Sequence, residues 1–330
     1  MKLDLSKVRE ILLVRPEQIG DTILLTPLVS QIKEKLPNAR ITLLIKKSMA
    51  PVVERNPQID GLIFTENKND VLKKKFDLSI VFEDNPLPEY AWLCFKARIP
   101  CRIGDKNRLL YRFMYNCGVP LDPKEDLHQV ESFGRLLKPL GINMIDKPAL
   151  IVTDRDMDEK IKNLLPDGKP LIGMHIGTGG GNRALSPEAY ALILDNVKKS
   201  RDCNIVLIGG PQETVTIEKI KEAAEGGFIN MVNKVDLKGM LSLIKRLDCF
   251  IGVDSGPMHA AAALGIPCLA IFTAKDVNPK KWAPWKTRSV IMRSKHNCQL
   301  KCSHRKCGYD YCARQVDPQE LISSLNSLCG

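Results

Sequence analysis

The chain has no long apolar run. None of its segments approaches the roughly 18 consecutive apolar residues of a membrane-spanning helix. Its first ten residues also lack the apolar core of a secretory signal peptide, so we expect a protein that stays in the cytoplasm. At 330 residues, the chain is longer than one hydrophobic core usually supports, and two domains are expected.

Two common nucleotide-binding motifs are missing. No Walker A sequence occurs, and the segment after the first predicted strand lacks the G-x-G-x-x-G fingerprint. The string GTGGG at Gly177–Gly181 follows a strand, but the next helix starts only near Ser186, so we interpret it as a loop over a ligand. A D-x-D match at Asp154–Asp156 lies in a charged linker and not at a strand end. We therefore expect chemistry that needs no metal.

Aromatic residues are scarce, at 5% of the chain, which is few for a protein that stacks nucleic-acid bases.

Cysteine is not scarce. The sequence contains eleven cysteines, an odd number. Without a signal peptide, this predicts reduced thiols and no disulfide framework. Buried thiols are predicted in the apolar runs that contain Cys94, Cys203, Cys249 and Cys268.

Four other cysteines form a cluster within fifteen residues: Cys298, Cys302, Cys307 and Cys312. Four thiolates are enough for one tetrahedral structural zinc or iron. The spacing differs from the usual pairs of C-x2-C, so unligated surface thiols stay open as the alternative.

The formal net charge of +11 is unevenly placed. Between Lys275 and Gln315, eleven Lys and Arg face two Asp, a local excess of nine positive charges. Such basic segments predict an anionic partner, either a phosphorylated glycolipid, a nucleotide, nucleic acid or an anionic membrane surface, and a merely solvated face is the alternative. A smaller basic cluster comprises Lys96, Arg98, Arg102, Lys106, Arg108 and Arg112.

Apolar strand-like runs alternate with helix-like stretches, which is the pattern of parallel α/β units. A hinge is expected between Lys147 and Lys169, giving domains at residues 1–155 and 156–330, the second ending in a basic, cysteine-rich tail from about residue 275. Strands are predicted at Ile11–Val14, Ile41–Ile45, Leu62–Phe64, Leu78–Phe82, Leu171–Met174, Ile205–Ile208, near Ile229, at Cys249–Val253 and at Cys268–Phe272.

The segment Phe250–Phe272 predicts a strand, an anion-binding helix start and a second strand. Asp254 and Ser255 offer capping oxygens, Gly256 permits close backbone approach, and Pro257 suits a first helical turn. The unpaired N–H groups of such a helix start attract an anion. An ordinary capped crossover is the alternative.

The first strand is followed by a turn at Gly20 and a helix that Asp21 or Thr22 can cap and that runs to about Leu36. Asp21 thus stands at the carboxyl end of the first parallel strand, where open α/β sheets bind ligands. It is a candidate general base, with a simple cap as the alternative.

Taken together, these segments resemble the lipopolysaccharide heptosyltransferases, glycosyltransferase family 9. The resemblance covers nearly the whole chain, and its most specific part is the pairing of GDTILLTP with DSGPMH. The matching segments are Gly20–Pro27, His175–Ala191, Leu207–Glu213, Val253–Pro267, Pro279–Trp285 and the cysteine-bearing tail.

The resemblance implies the GT-B fold, with two facing Rossmann-like domains and a cleft between them. It implies inverting transfer of heptose from ADP-heptose to a lipopolysaccharide inner-core acceptor. The first domain would present the acceptor and the second would hold the sugar nucleotide. Asp21 matches the family's early aspartate and would be the base. Arg183 stands where the family usually has lysine and would neutralise the departing diphosphate.

Binding of the sugar nucleotide is expected around the helix start that follows Val253. Thr178 could donate to a phosphate from the glycine loop, and Asp254 could bind sugar hydroxyls or hold the loop. Glu213 resembles the acid that the family places near the nucleotide ribose, or else caps a helix. His259 contacts phosphate or merely packs. The remaining donor-binding candidates are Ser255, Gly256 and Pro257.

Two alternatives stay open. One is a related transferase that uses another nucleotide sugar or a protein acceptor. The other is a nucleic-acid-binding protein whose tail forms a zinc knuckle, which leaves the two specific motifs unexplained. The heptosyltransferase interpretation implies a cytoplasmic protein whose partners are a sugar nucleotide, an anionic glycolipid and the anionic inner face of the cytoplasmic membrane, without nucleic acid.

Overall fold

The computed structural model describes residues 4–82, 88–107, 112–122, 124–178, 183–274, 276–293 and 316–329. The chain divides into two compact units, residues 1–152 and 153–330, which we call unit 1 and unit 2. The boundary expected from the sequence follows residue 155. None of the described helices is both long enough and apolar enough to cross a bilayer.

Unit 1 is built on a five-stranded sheet in the order β3-β2-β1-β4-β5. All of its strand pairs are parallel. The strands are β1 (Glu10–Val14), β2 (Arg40–Ile45), β3 (Gly61–Phe64), β4 (Leu78–Val81) and β5 (Cys101–Ile103), and the α-helices are α1 (Ile19–Lys35), α2 (Ala50–Val53), α3 (Pro88–Lys96) and α4 (Gln129–Gly134).

Unit 2 contains a six-stranded parallel sheet in the order β11-β10-β9-β6-β7-β8. Its strands are β6 (Leu171–His175), β7 (Asn204–Ile208), β8 (Ile229–Asn230), β9 (Cys249–Val253), β10 (Cys268–Phe272) and β11 (Ser289–Arg293). Its α-helices are α5 (Arg155–Lys162), α6 (Pro187–Ser200), α7 (Thr214–Ala223), α8 (Leu237–Lys245), α9 (Gly256–Ala263), α10 (Pro279–Trp282) and α11 (Pro318–Cys329).

The central strands are buried along almost their whole length. β9 and β10 are buried at every residue, and β1 at all but its first. Helices on both faces of a parallel sheet exclude water from both sides of a strand, so the strand becomes a continuous apolar run. All nine predicted strands are confirmed, including the edge strands β3 and β8, which are mostly half-buried. Cys203, Cys249 and Cys268 are buried free thiols as expected, and Cys94 is buried.

Two strands escaped prediction, and both lie at sheet edges. β5 has only three residues, of which the middle one, Arg102, is partly exposed. β11 is mostly exposed or half-buried, with Met292 its one fully buried side chain. An edge strand has one neighbour and less cover. These two contain charged or exposed residues, Arg102 in β5 and Ile291 and Arg293 in β11, whereas the edge strand β3 is apolar and was predicted.

The expected hinge contains a helix. α5 begins within the charged run, where the Asp154 carboxylate caps it by accepting from the backbone N–H groups of Asp156 at 3.0 Å and Met157 at 3.1 Å. Asp158 then pairs with Lys245 of α8 at 2.8 Å. The first aspartate of the D-x-D match is therefore a helix cap, and α5 belongs to unit 2.

The basic tail contributes to the hydrophobic core of unit 2. Its described part supplies Leu321, Leu325 and Leu328 of α11, which are at most 2% exposed and join the hydrophobic core of unit 2. The proposed cysteine ligands Cys298, Cys302, Cys307 and Cys312 lie outside the described residues.

Candidate active site

In unit 2, the strand order reverses between β6 and β9. From β6 the chain moves outwards through β7 and β8, whereas β9, β10 and β11 lie on the other side. Connections that leave in opposite directions open a crevice at the carboxyl ends of the two strands, which is where open α/β sheets bind ligands. The segments after β6 and β9 carry most of the residues predicted for donor binding.

The helix start after β9 forms as predicted. Ser255 is the N-cap residue, yet its side chain makes no cap hydrogen bond. Its Oγ lies 3.3 Å from Nδ1 of His175 at the end of β6. Gly256 and Pro257 form the first turn of α9, and Gly265, with φ of +76°, allows the chain to leave the helix for β10.

Asp254 pairs with an arginine. Its Oδ2 accepts from Arg183 Nη1 at 2.7 Å, which agrees with the loop-holding role that the sequence left open. The Arg183 side chain is 23% exposed and that of Asp254 10%. Arg183 Nη2 also reaches the Thr178 carbonyl oxygen at 3.4 Å, and Thr273 Oγ1 donates to the Arg183 carbonyl oxygen at 2.7 Å. One cluster thus brings together three of the predicted site residues: Thr178, Arg183 and Asp254.

Arg183 retains donor capacity within this cluster. Its Nε is buried and has no hydrogen-bond partner among the described residues. A guanidinium has five N–H donors in a fixed fork, and Nη1 and Nη2 account for one observed bond each. The group can therefore bind an anionic oxygen while it stays paired with Asp254.

Glu213 lies at the neighbouring β7 end. Its Oε2 accepts from the Gly210 N–H at 2.8 Å, which is the capping alternative that the sequence left open. The carboxylate also lies against Gly177, where a Cβ atom would come within 2.6 Å of Oε1. The glycine after β6 therefore makes room for Glu213, and Oε1 lies beside the loop that contains Thr178.

The two histidines of the site are both buried. His175 is 6% exposed, and desolvation lowers its pKa from the ordinary 6.5 to about 4. The ring is thus neutral at physiological pH. His259 is 4% exposed and packs edge-on to Trp282, with ring centroids 6.4 Å apart. This packing is the structural alternative considered for His259.

In unit 1, α1 begins earlier than predicted. Gln18 is its N-cap residue, so Gly20 lies inside the first turn, and Asp21 is its third residue. Asp21 Oδ2 accepts from the Gln18 N–H at 3.1 Å, an arrangement that closes the helix start. Asp21 Oδ1 accepts from Arg15 Nη2. The Asp21 side chain is 13% exposed, and a carboxylate has lone pairs beyond these two bonds.

Arg15 is a site residue that sequence reasoning missed. It directly follows β1 and is 1% exposed. Its Nη1 donates to the Phe82 carbonyl oxygen at 2.9 Å and lies 3.3 Å from Glu17 Oε1, and its guanidinium covers the Phe133 ring at 4.6 Å. A charged residue immediately after a buried strand was the available signal. Arg15 fixes the position of the Asp21 carboxylate.

Known proteins resemble this chain along most of its length. The model of glycosyltransferase family 9 (heptosyltransferase) matches residues 67–312. Lipopolysaccharide heptosyltransferase 3 of Escherichia coli is 26% identical over 300 residues, covering 82% of this chain and 85% of that protein.

Two solved structures share the architecture. The glycosyl transferase family 9 protein from Veillonella parvula has a TM-score of 0.85 at 22% identity, covering 100% of this chain and 98% of that one. E. coli ADP-heptose lps heptosyltransferase II has a TM-score of 0.77 at 19% identity, covering 97% and 98%. Such likenesses confirm the fold, which is the two-domain α/β architecture of GT-B transferases.

The fold is that of the GT-B glycosyltransferases. The family match covers well over half of the sequence, and the chain belongs to glycosyltransferase family 9, the heptosyltransferases. It is a glycosyltransferase. The family resemblance deduced from GDTILLTP and DSGPMH is confirmed.

Proposed function

We propose that this enzyme transfers heptose, with inversion at the anomeric carbon, from ADP-heptose to a lipopolysaccharide inner-core acceptor. The names of its relatives support the sugar, the nucleotide and the acceptor. In this proposal unit 2 binds the donor and unit 1 presents the acceptor.

The observation that carries the proposal is the cluster at the β6 and β9 ends. Arg183 offers positive charge, and α9 begins beside it without a side-chain cap from Ser255. Backbone N–H groups and a guanidinium are the donors that bind a diphosphate when no metal is involved. The same groups stabilise the charge that develops as the nucleotide leaves.

The remaining roles follow from chemistry and position. The Asp21 carboxylate takes the proton from the attacking acceptor hydroxyl, which then forms the new glycosidic bond as the bond to the diphosphate breaks. Glu213 accepts from ribose hydroxyls, and Thr178 donates to a phosphate. Asp254 holds Arg183 in place, whereas Ser255, Gly256 and Pro257 shape the helix start. His259 contributes through packing.

A donor panel tests the proposal directly. Calorimetric titration should give the tightest binding for ADP-heptose, weaker binding for ADP, and little binding for UDP- or GDP-sugars. Mass spectrometry of a heptose-deficient lipopolysaccharide acceptor should then show the addition of one heptose. Preference for another nucleotide sugar, or transfer to protein, would support the related-transferase alternative instead. Salt-dependent RNA binding without donor binding would contradict both.

We also propose a cytoplasmic location and a structural metal in the tail. The free thiols of Cys203, Cys249 and Cys268 are consistent with a reducing compartment. Cys298, Cys302, Cys307 and Cys312 would hold one zinc or iron, with no part in the transfer chemistry. Elemental analysis should give about one metal per chain. A much lower content, with all four thiols alkylated in the native protein, would exclude the metal.

A further inference from the structure

All exposed aromatic side chains of the described residues lie together in unit 1. Trp92 and Phe95, on α3, are 45% and 38% exposed, and Phe113, in the short 3-10 turn Arg112–Met114, is 62% exposed. Every other described Phe, Tyr and Trp is buried or half-buried. We call these three side chains the aromatic patch.

The three rings contact one another. Trp92 and Phe95 stack with ring centroids 5.7 Å apart and planes 17° apart, as the (i, i+3) spacing on one helix face allows. Phe113 packs edge-on against Phe95 with centroids 6.2 Å apart. The guanidinium of Arg102 lies over the Phe95 ring at 5.3 Å. The patch is therefore one continuous apolar surface.

The patch is not needed to build the core. The opposite side of α3 supplies Tyr90, Ala91, Leu93 and Cys94, all of which are buried in the hydrophobic cluster of unit 1. The exposed rings extend away from that cluster, where leaving apolar surface in water is unfavourable. A contiguous exposed apolar surface of this kind marks a place of interaction.

Exposed basic residues lie close to the patch in the sequence. Two acids lie near these cations in the sequence: Glu89, which pairs with Lys68 at 2.6 Å, and Asp105, whose carboxylate accepts from the backbone N–H groups of Asn107 and Leu121. The cations outnumber them. The exposed cations, each next to a patch residue or close to it in sequence, are Lys96, Arg98, Lys106 and Arg112.

Arg98 occupies an unusual backbone position. Its φ of 53° is left-handed, just beyond the end of α3, where glycine is the usual residue. Arginine occupies this position although the left-handed backbone disfavours it. A positive charge therefore stands three residues after Phe95 in the sequence.

We propose that the aromatic patch and the exposed cations close to it in the sequence dock unit 1 onto an anionic phospholipid bilayer. Aromatic rings favour the headgroup boundary, and Lys and Arg beside them are attracted to anionic lipids. Nucleic acid fits less well, since a base needs a free ring face and Phe95 is already covered by Trp92 and Arg102.

Docking would bring the unit that carries Asp21 to a lipid-linked acceptor, and in this respect the proposal deepens the proposed function. The two remain separable, because binding to vesicles needs neither a sugar nucleotide nor an acceptor. Failure of docking would leave donor binding in unit 2 untouched.

The test is flotation of the full-length protein with vesicles of phosphatidylcholine, alone or mixed with phosphatidylglycerol. Wild-type protein should bind the anionic vesicles, less so at high salt. Trp92→Gln combined with Phe113→Gln should weaken binding by about tenfold or more, since both rings lose their insertion into the interface. Met144→Gln, at a side chain of unit 1 that is 73% exposed, is the matched control and should bind normally.

A charge variant and a depth probe complete the experiment. Arg98→Gly removes a cation and relieves the left-handed backbone, so it should weaken binding about fivefold without loss of stability, whereas Lys75→Gln should not. In a Trp282→Phe, Trp285→Phe background, Trp92 is the remaining tryptophan, and brominated lipids should quench its fluorescence.

Unchanged vesicle binding in the Trp92→Gln, Phe113→Gln variant would overturn the proposal, as would anionic binding without quenching of Trp92. If this variant instead loses RNA binding or self-association and binds vesicles normally, the patch belongs to a different partner. That result would also overturn the proposal.

Discussion

Arg15 and Asp21 in unit 1 have a counterpart in Arg183 and Asp254 in unit 2. Each ion pair lies just beyond the carboxyl ends of central parallel strands, and each arginine is mostly buried, with 1% and 23% of its side chain exposed. Removing one partner of such a pair leaves an uncompensated charge, so each member holds the other in place. In our proposal the aspartate acts in unit 1 and the arginine acts in unit 2.

The first prediction concerns Asp21→Asn. Loss of a general base should reduce turnover by about 10²–10⁴-fold while the affinity for ADP-heptose stays nearly unchanged. Initial rates and calorimetry measure the two quantities. Glu17→Gln is the control, because Glu17 also lies 3.3 Å from Arg15 but is not the proposed base. That variant should keep its turnover.

Thermal unfolding separates chemistry from structure in this pair of variants. Asp21→Asn also removes the carboxylate that faces buried Arg15, so some loss of stability is expected. A folded Asp21→Asn enzyme that retains more than about half of the wild-type turnover would remove Asp21 from the role of base.

The second prediction concerns Arg183. Arg183→Ala should weaken ADP and ADP-heptose alike by about tenfold or more, since charge-assisted hydrogen bonds to the diphosphate are lost. Arg183→Lys restores the residue that is usual in the family and should keep much of the affinity. Titration calorimetry measures both variants. Arg246→Ala, at a partly exposed arginine elsewhere in unit 2, should bind normally.

The comparison of alanine with lysine is decisive for Arg183. Equal loss in the two variants would mean that positive charge alone is not what the site requires. Full affinity in Arg183→Ala would place the diphosphate elsewhere.

At the scale of elements, the strands that are buried on both faces of a sheet were the easiest to predict from the sequence. β1, β9 and β10 are continuous apolar runs because helices cover both sides of each sheet, and they could be identified from the sequence. Of the four edge strands, β3 and β8 were predicted, whereas β5, with Arg102 at its centre, and β11, with exposed positions, were not. Helix α5 was hidden because its sequence is almost entirely charged.

The site divides in the same way. The helix start at Gly256 and Pro257 is a local pattern, and it was predictable. The pairing of Asp254 with Arg183 could not be predicted, because Arg183 lies 71 residues away and nothing local signals the pairing. The helix start near Gly20 was misplaced for a local reason, since α1 starts at Ile19 with a capping box between Gln18 and Asp21.

The third prediction follows from the burial of His175 at the end of β6. Desolvation lowers the pKa of His175 to about 4, whereas the unfolded chain keeps a value near 6.5. Between these values the unfolded state binds a proton that the native state does not. The free energy of unfolding should therefore fall as the pH drops from about 6.5 to about 4, by roughly 3 kcal/mol in all.

Denaturant unfolding across this pH range measures the effect. Other groups titrate in the same window, so the comparison is with His175→Asn, in which this contribution is absent and the slope should be smaller. Equal slopes in the two proteins would show that His175 does not remain neutral in the folded state.

At the scale of the whole molecule, our proposal divides the two functions of a transferase, acceptor activation and donor binding, between the units. Asp21 belongs to unit 1, whereas Thr178, Arg183, Glu213 and Asp254 belong to unit 2. Unit 2 also has a hydrophobic core of its own, to which α11 contributes Leu321, Leu325 and Leu328. Its first residue, Thr153, donates through Oγ1 to Asp158 at 2.8 Å, so unit 2 must include Thr153 to be complete.

The last prediction is that a fragment of residues 153–330 folds and binds ADP with an affinity close to that of the full chain, but transfers no sugar. The fragment keeps the Arg183–Asp254 pair and the start of α9, which are the proposed diphosphate ligands, and lacks the base. Circular dichroism verifies folding and calorimetry gives the affinity, with the Arg183→Ala form of the same fragment as control. A folded fragment that fails to bind ADP would show that donor binding requires residues of unit 1.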